Sequence, residues 1–234
     1  MNIRWLLDAL FPRRCAVCDA ITGTHKPICE ACATKISHIK GDICNKCGKP
    51  LRDGDRIHCY DCSRKIHYFD RGFAVFEYND IKSSLYRFKY AGRAEYAEYY
   101  AYMTDRYIGD VIKKSGAEAL IPVPIHRFRM AKRGYNQAEV YAKEISKLCG
   151  IPVRSDIIKR RKATVPLKRL SPKERKDNLK KAFIIAPNVV KLKSIIIVDD
   201  IYTTGATMDT MSLLLRQAGV EHIMFVTVAV GSGL

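Results

Sequence analysis

The sequence contains no apolar run near the ~20 residues that a membrane-spanning helix needs, so no membrane insertion is expected. Its opening, "MNIRWLLDALFPRRC", lacks the form of a secretory signal. Asp8 interrupts the apolar stretch, and no small-residue cleavage pattern follows. The expectation is a cytoplasmic protein whose thiols stay reduced. Acidic residues are also in short supply: 24 Asp and Glu stand against 41 Lys and Arg, a formal charge of +17. Such a balance favours polyanions, whether nucleic acid, a phosphorylated ligand or an acidic surface. Beyond residue 62 there is a single cysteine, Cys149, which reads as a small hydrophobe at a helix end. A hydrophobic content of 47% is enough to bury a core and argues against global disorder.

The other eight cysteines form four CxxC pairs: Cys15/Cys18, Cys29/Cys32, Cys44/Cys47 and Cys59/Cys62. Two intervening residues let both thiolates turn toward one metal, and two such knuckles close a tetrahedral S₄ site, the usual arrangement for structural zinc. Eight thiolates fill two sites and leave no open catalytic position. The loops "DAITGTHKPI" and "GKPLRDGDRIH" are alike, as in a duplicated zinc ribbon. Neighbouring pairs are the favoured grouping, although an interleaved one has the same sequence, and an iron–sulfur cluster takes the same ligands. His25, His58 and His67 are not needed as ligands and read as solvated loop residues.

The texture changes near residue 67, which divides the chain into a zinc-ribbon domain over 1–66 and a larger domain over 67–234. "FAVFEY" is strand-like, residues 80–114 have helical spacing broken near Gly92, and "ALIPVPI" reads as a buried strand. "NQAEVYAKEISKL" has the period of a helix. "IIKRR", "AFIIA", "KSIIIVDD" and "HIMFVTVAV" read as strands and "TMDTMSLLLRQAG" as a helix. Strands alternating with helices predict an α/β fold with a mainly parallel sheet flanked by helices.

In such sheets ligands sit at the carboxyl ends of strands. There "IIIVDDIYTTGATM" places Asp199 and Asp200, followed by Thr203, Thr204, Gly205, Ala206 and Thr207 leading into a helix. Amides and hydroxyls at a helix N-terminus suit a phosphate, and Gly205 permits close backbone approach. The two carboxylates can accept hydrogen bonds from vicinal hydroxyls and help hold Mg²⁺. A ribose 5-phosphate satisfies both halves.

This run resembles the signature with which type I phosphoribosyltransferases bind 5-phosphoribosyl 1-diphosphate (PRPP). The resemblance implies that Asp199 and Asp200 take the ribose hydroxyls, residues 203–207 the 5-phosphate, and magnesium accompanies the ligand. It further implies that the loop "HRFRMAKRGYNQA", with Arg127, Arg129, Lys132 and Arg133, lies near the pyrophosphate. A solvated basic loop is the plainer reading of that charge run. Taken in order, the cysteine-rich start, "FKYAGR", "PVPIHRFRMAKRGYNQA", "LSPKERKDNLKKAF" and "VDDIYTTGATM" resemble the ComF family over nearly the whole chain. That resemblance implies a double zinc ribbon joined to a type I phosphoribosyltransferase-like domain, a role in natural transformation or related DNA handling, and a DNA-uptake or helicase-like partner. It implies no particular transfer reaction. Two departures stand out. Leu167 occupies a position where many members have Gln, and Thr203 stands where the 6-oxopurine salvage enzymes carry Asp.

Between residues 154 and 181 basic side chains crowd, among them Arg160, Arg161, Lys162, Lys168 and Arg169. The segment reads as a mobile basic arm over the site, with a short helix starting at Ser171. Charge together with the family resemblance predicts single-stranded DNA binding. The aromatics Tyr86, Phe88, Tyr90 and Tyr99 sit on predicted helices and read as core.

Overall fold

A computed structural model describes residues 12–22, 26–52, 57–160, 182–186 and 191–231. Its element order is α1 (Glu30–Ala33), α2 (Tyr60–Arg64), β1 (Arg71–Glu77), α3 (Tyr78–Tyr90), α4 (Tyr96–Lys114), β2 (Ala119–Pro122), α5 (Arg127–Arg133), α6 (Gln137–Cys149), β3 (Ile158–Arg160), β4 (Phe183–Ile185), β5 (Ser194–Tyr202), α7 (Ala206–Gln217) and β6 (His222–Val230). Four strands form a parallel sheet in the order β1-β6-β5-β2. β3 and β4 stand apart as an antiparallel pair, so "IIKRR" and "AFIIA" are strands that do not join the main sheet.

The sheet is covered on both faces, as a parallel sheet of β-branched residues must be. Alternation along β5 divides its apolar side chains between two cores. Ile195 and Ile197 pack with Phe69, Met208, Met211 and Phe225, whereas Ile196 and Val198 pack with Phe88, Tyr100 and Tyr141 beneath α3, α4 and α6. Gly92 (φ 69°) lies between α3 and α4, a left-handed position that explains the break in the helical pattern.

The cysteine-rich segment is built twice from one local plan. Cys15 N donates to Ala20 O at 2.8 Å and Cys44 N to Lys49 O at 2.7 Å. Arg14 bridges Ile21, and Ile43 bridges Pro50. Each turn needs one residue at positive φ, Asp19 (68°) in the first and Gly48 (73°) in the second. Asp19 bears that conformation with its carboxylate held by Tyr96 Oη at 2.5 Å and Arg93 Nε at 3.0 Å. At Gly48 a Cβ would come within 2.5 Å of Gly72 O, so only glycine fits. The two copies dock in different places. The first sits on α3 and α4, where Ser84 and Arg87 donate to the carbonyls of Ala16 and Val17. The second lies against the sheet, with Gly72 N donating to Lys46 O at 2.8 Å. No helix among the described residues is long and apolar enough to cross a membrane.

Candidate functional site

The carboxyl ends of β2 and β5 and the starts of α5, α6 and α7 meet at one edge of the sheet. β5 runs past its apolar stretch to Tyr202, so Asp199 and Asp200 lie inside its last residues rather than just beyond it. Asp199 pairs in register with Thr227 of β6, and its Oδ1 accepts from the Asp200 amide at 2.8 Å. The following turn exposes Thr203 and Thr204 and buries Gly205. Gly205 caps α7 at φ 79°, and a Cβ there would lie 2.7 Å from Tyr202 Oη and 3.3 Å from His67 Cε1. Glycine is therefore required on conformational and steric grounds together. Ala206 and Thr207 open a twelve-residue helix whose first amides face the turn.

The notable finding at the acids is Lys89, near the end of α3. Its Nζ lies 2.5 Å from Asp200 Oδ2, with only 19% and 11% of the two side chains exposed. Burial pushes the Lys89 ammonium down to about 8, with Asp199 opposing that shift and Arg133 and Arg129 adding to it. Burial likewise pushes the Asp199 carboxyl up to about 7, against the pull of Lys89, Arg160, Arg133 and Arg129. One acidic pair thus faces four cations from three elements. The spacing in "FKYAGR" marks Lys89 only as part of a motif; what singles it out is the tertiary contact.

The basic segment after β2 is a helix, α5, and not a loop. His126 caps its start by accepting from Phe128 N at 3.3 Å, and Gly134 closes it at φ 80°. The helix sorts its cations. Arg129 and Arg133, four residues apart, share a face and act on the acids. Arg133 is held by Gln137 Oε1 at 2.8 Å and by Tyr90 Oη at 3.1 Å. Arg127 and Lys132 point elsewhere along the helix and, like Arg129, are exposed; Arg127 stacks over Phe128 at 5.3 Å. Asn136 caps α6 and ties it to the end of β2, its Oδ1 accepting from Ala138 N at 3.2 Å and its Nδ2 donating to Val123 O at 3.1 Å.

Of the basic arm, Arg160 ends β3, with its guanidinium 5.3 Å from the Phe183 ring centroid. Arg161, Lys162, Leu167, Lys168, Arg169 and the expected helix from Ser171 lie outside the described residues, as does His25. His58 is exposed as expected. His67 is not a solvated loop residue. It is buried and stacked on Phe69, and its Nδ1 lies 3.0 Å from both carboxylate oxygens of Asp209 in the first turn of α7. Cys149 is half-buried at the end of α6. Tyr86 and Tyr90 are also a correction: only Phe88 and Tyr99 of the four aromatics are core.

The cysteines assemble as neighbouring pairs. The sulfurs of Cys15, Cys18, Cys29 and Cys32, and those of Cys44, Cys47, Cys59 and Cys62, each lie within 4.8 Å of one another. Cys18 Sγ is 3.7 Å from Cys29 Sγ, and Cys47 Sγ is 3.6 Å from Cys59 Sγ. A tetrahedral site with Zn–S bonds of about 2.3 Å needs sulfur separations of about 3.8 Å, so both clusters fit a structural zinc ion. The second cluster shares a core with Phe69, Tyr202 and Met208, directly behind the 203–205 turn. Lys49 of that ribbon lies 5.8 Å from the Tyr202 ring centroid and pairs with Asp61 at 2.7 Å.

Comparison with known proteins agrees with this geometry. Residues 6–63 match the double zinc ribbon domain and residues 130–232 the phosphoribosyl transferase domain. Competence protein F of Haemophilus influenzae is 34% identical over 84% of this chain and 87% of its own length. The chain belongs to the ComF family. Competence protein ComFC of Bacillus subtilis is 28% identical, over 82% of this chain and 79% of that relative. The DNA utilization protein YhgH of Salmonella typhimurium is 29% identical over 91% of this chain and 94% of its own length. Family membership and the parallel α/β fold with its cysteine-rich module therefore stand together.

Proposed function

We propose that this ComF-family chain binds PRPP at the end of β5 and handles single-stranded DNA in DNA uptake. What carries the first half is the sequence of parts along β5: two acids, an exposed Thr-Thr turn, a left-handed Gly205 and the start of α7. Vicinal ribose hydroxyls would donate to Asp199 and Asp200. The 5-phosphate would accept from the amides and hydroxyls of residues 203–207, aided by the helix dipole. Arg129 and Arg133 would face the pyrophosphate. Magnesium bound with the ligand would neutralise part of the diphosphate charge.

In this reading Lys89, paired with Asp200, gives way to the ribose hydroxyls and turns to the diphosphate. A cation already desolvated beside the acids costs little further dehydration when it shifts toward the incoming diphosphate. The names of the relatives, competence protein and DNA utilization protein, support the DNA half, as does the net charge of +17.

Isothermal calorimetry with PRPP, ribose 5-phosphate and inorganic pyrophosphate, each with magnesium, tests the site. PRPP should bind more tightly than either fragment. Equal affinity for PRPP and pyrophosphate would count against the β5 turn and point to a basic anion site alone.

Transfer of the phosphoribosyl group to an acceptor is a second reading. It is favoured by the four cations that act on Asp199, because charge of that sign stabilises a departing pyrophosphate. Pyrophosphate release from PRPP, screened over nucleobases, amines and oligonucleotides, distinguishes transfer from binding.

A further inference from the structure

Tyr86 and Tyr90 lie one turn apart on the outer face of α3, with 64% and 53% of their surfaces exposed. Their ring centroids are 5.1 Å apart and the planes are tilted by 47°. The Arg133 guanidinium sits 4.8 Å from the Tyr90 centroid and also reaches the Tyr90 hydroxyl. The same Arg133 acts on Asp199, and Lys89, the residue beside Tyr90, pairs with Asp200. A single helical turn therefore carries an inward cation on the acids and an outward pair of aromatic rings. A further exposed ring, Phe128, stands on α5 with Arg127 over it.

Two large aromatic rings exposed side by side form a patch rather than a scattered surface residue, and such patches mark interaction surfaces. Among the described residues, Lys82, Arg127, Arg129 and Lys132 form no salt bridge. Flat apolar faces interleaved with such cations match one chemistry well: the bases and phosphates of a single strand.

We infer that the Tyr86–Tyr90 face is a base-stacking platform for single-stranded DNA, with Arg127 and Lys132 placed to neutralise its phosphates. The inference rests on the DNA-handling reading and assigns it a place in the fold. It puts strand binding next to the sugar-phosphate site, joined to it through Arg133. A double helix fits poorly, since its base faces are already stacked on one another.

The test uses the full chain with its zinc and measures fluorescence anisotropy with a short oligothymidylate and an abasic strand of equal length. Tyr86→Ala with Tyr90→Ala should weaken oligothymidylate binding by about tenfold or more, given what a stacked base contributes. Binding of the abasic strand and the salt dependence should be unchanged, because phosphate contacts remain. Tyr86→Phe with Tyr90→Phe should bind as the parent does, which separates stacking from a folding defect. Parental affinity in the alanine variant would overturn the platform and leave the DNA reading standing. An equal loss for both strands would also overturn it, assigning these residues to backbone contacts. Failure of the parent to bind either strand would overturn the platform and the DNA reading together.

Discussion

Lys89 Nζ sits 2.5 Å from Asp200 Oδ2, joining the end of α3 to the end of β5 across the edge of the sheet. Neither side chain has much access to water, so each relies on the other. Lys89→Met should destabilise the fold by about 3 kcal/mol, because it leaves a buried carboxylate without its cation. Adding Asp200→Asn should recover much of that loss. Urea denaturation of the two single variants and the double variant gives the coupling directly. Additive losses would mean that the pair contributes nothing as a pair.

Protonation at the site follows from burial. The Asp199 pKa is raised from 3.8 to about 7, so the folded chain holds a proton there that the unfolded chain has lost. Stability should therefore fall as pH rises from about 4 to about 7. Lys89 is lowered from 10.5 to about 8, so between those values the unfolded chain binds more protons and stability should rise with pH. Thermal melts across this range, compared with Asp199→Asn and Lys89→Met, isolate each limb. A carboxylate accepts from hydroxyls better than a carboxylic acid does, so affinity for PRPP should strengthen through pH 7, and more weakly in Asp199→Asn.

Gly205 tests the turn itself. Gly205→Ala meets Tyr202 Oη at 2.7 Å and takes a left-handed conformation, and it should cost about 1–3 kcal/mol and weaken phosphate binding. Gly92→Ala shares the positive φ but has nothing within 4 Å, so it should cost about 1 kcal/mol and leave binding intact. Chemical denaturation with parallel calorimetry reads both.

Much of this was legible in the chain because the signals are local. The CxxC knuckles, the glycine break between α3 and α4, and the apolar run into Asp199 and Asp200 each arise from neighbours in sequence. Most of the differences arise from tertiary placement. His67 is buried because Asp209, far along the chain, caps it. Tyr86 and Phe88 have similar composition signals, yet two residues of helix put one outside and the other in the core. Lys89 gains its meaning only when α3 is laid beside β5. The helix at 127–133 was hidden by its charge: a run of cations reads as loop unless its caps, His126 and Gly134, are noticed.

The two cysteine clusters should differ in what they support. Cys47→Ser and Cys18→Ser should each lower the metal content from two zinc ions to one, read by elemental analysis. Only Cys47→Ser should loosen the 203–205 turn, since its cluster packs against Tyr202 while the first cluster sits on α3 and α4. Hydrogen exchange of the amides at 203–207 reads that loosening without any ligand. Equal protection in both variants would show that the second ribbon does not brace the turn.

The central claim, that the acids and turn of β5 form the PRPP site, is tested most directly by calorimetric titration of Asp199→Asn with Asp200→Asn. The double variant should keep its two zinc ions and lose measurable PRPP affinity, while the parent binds. Parental affinity in a folded double variant would contradict the account.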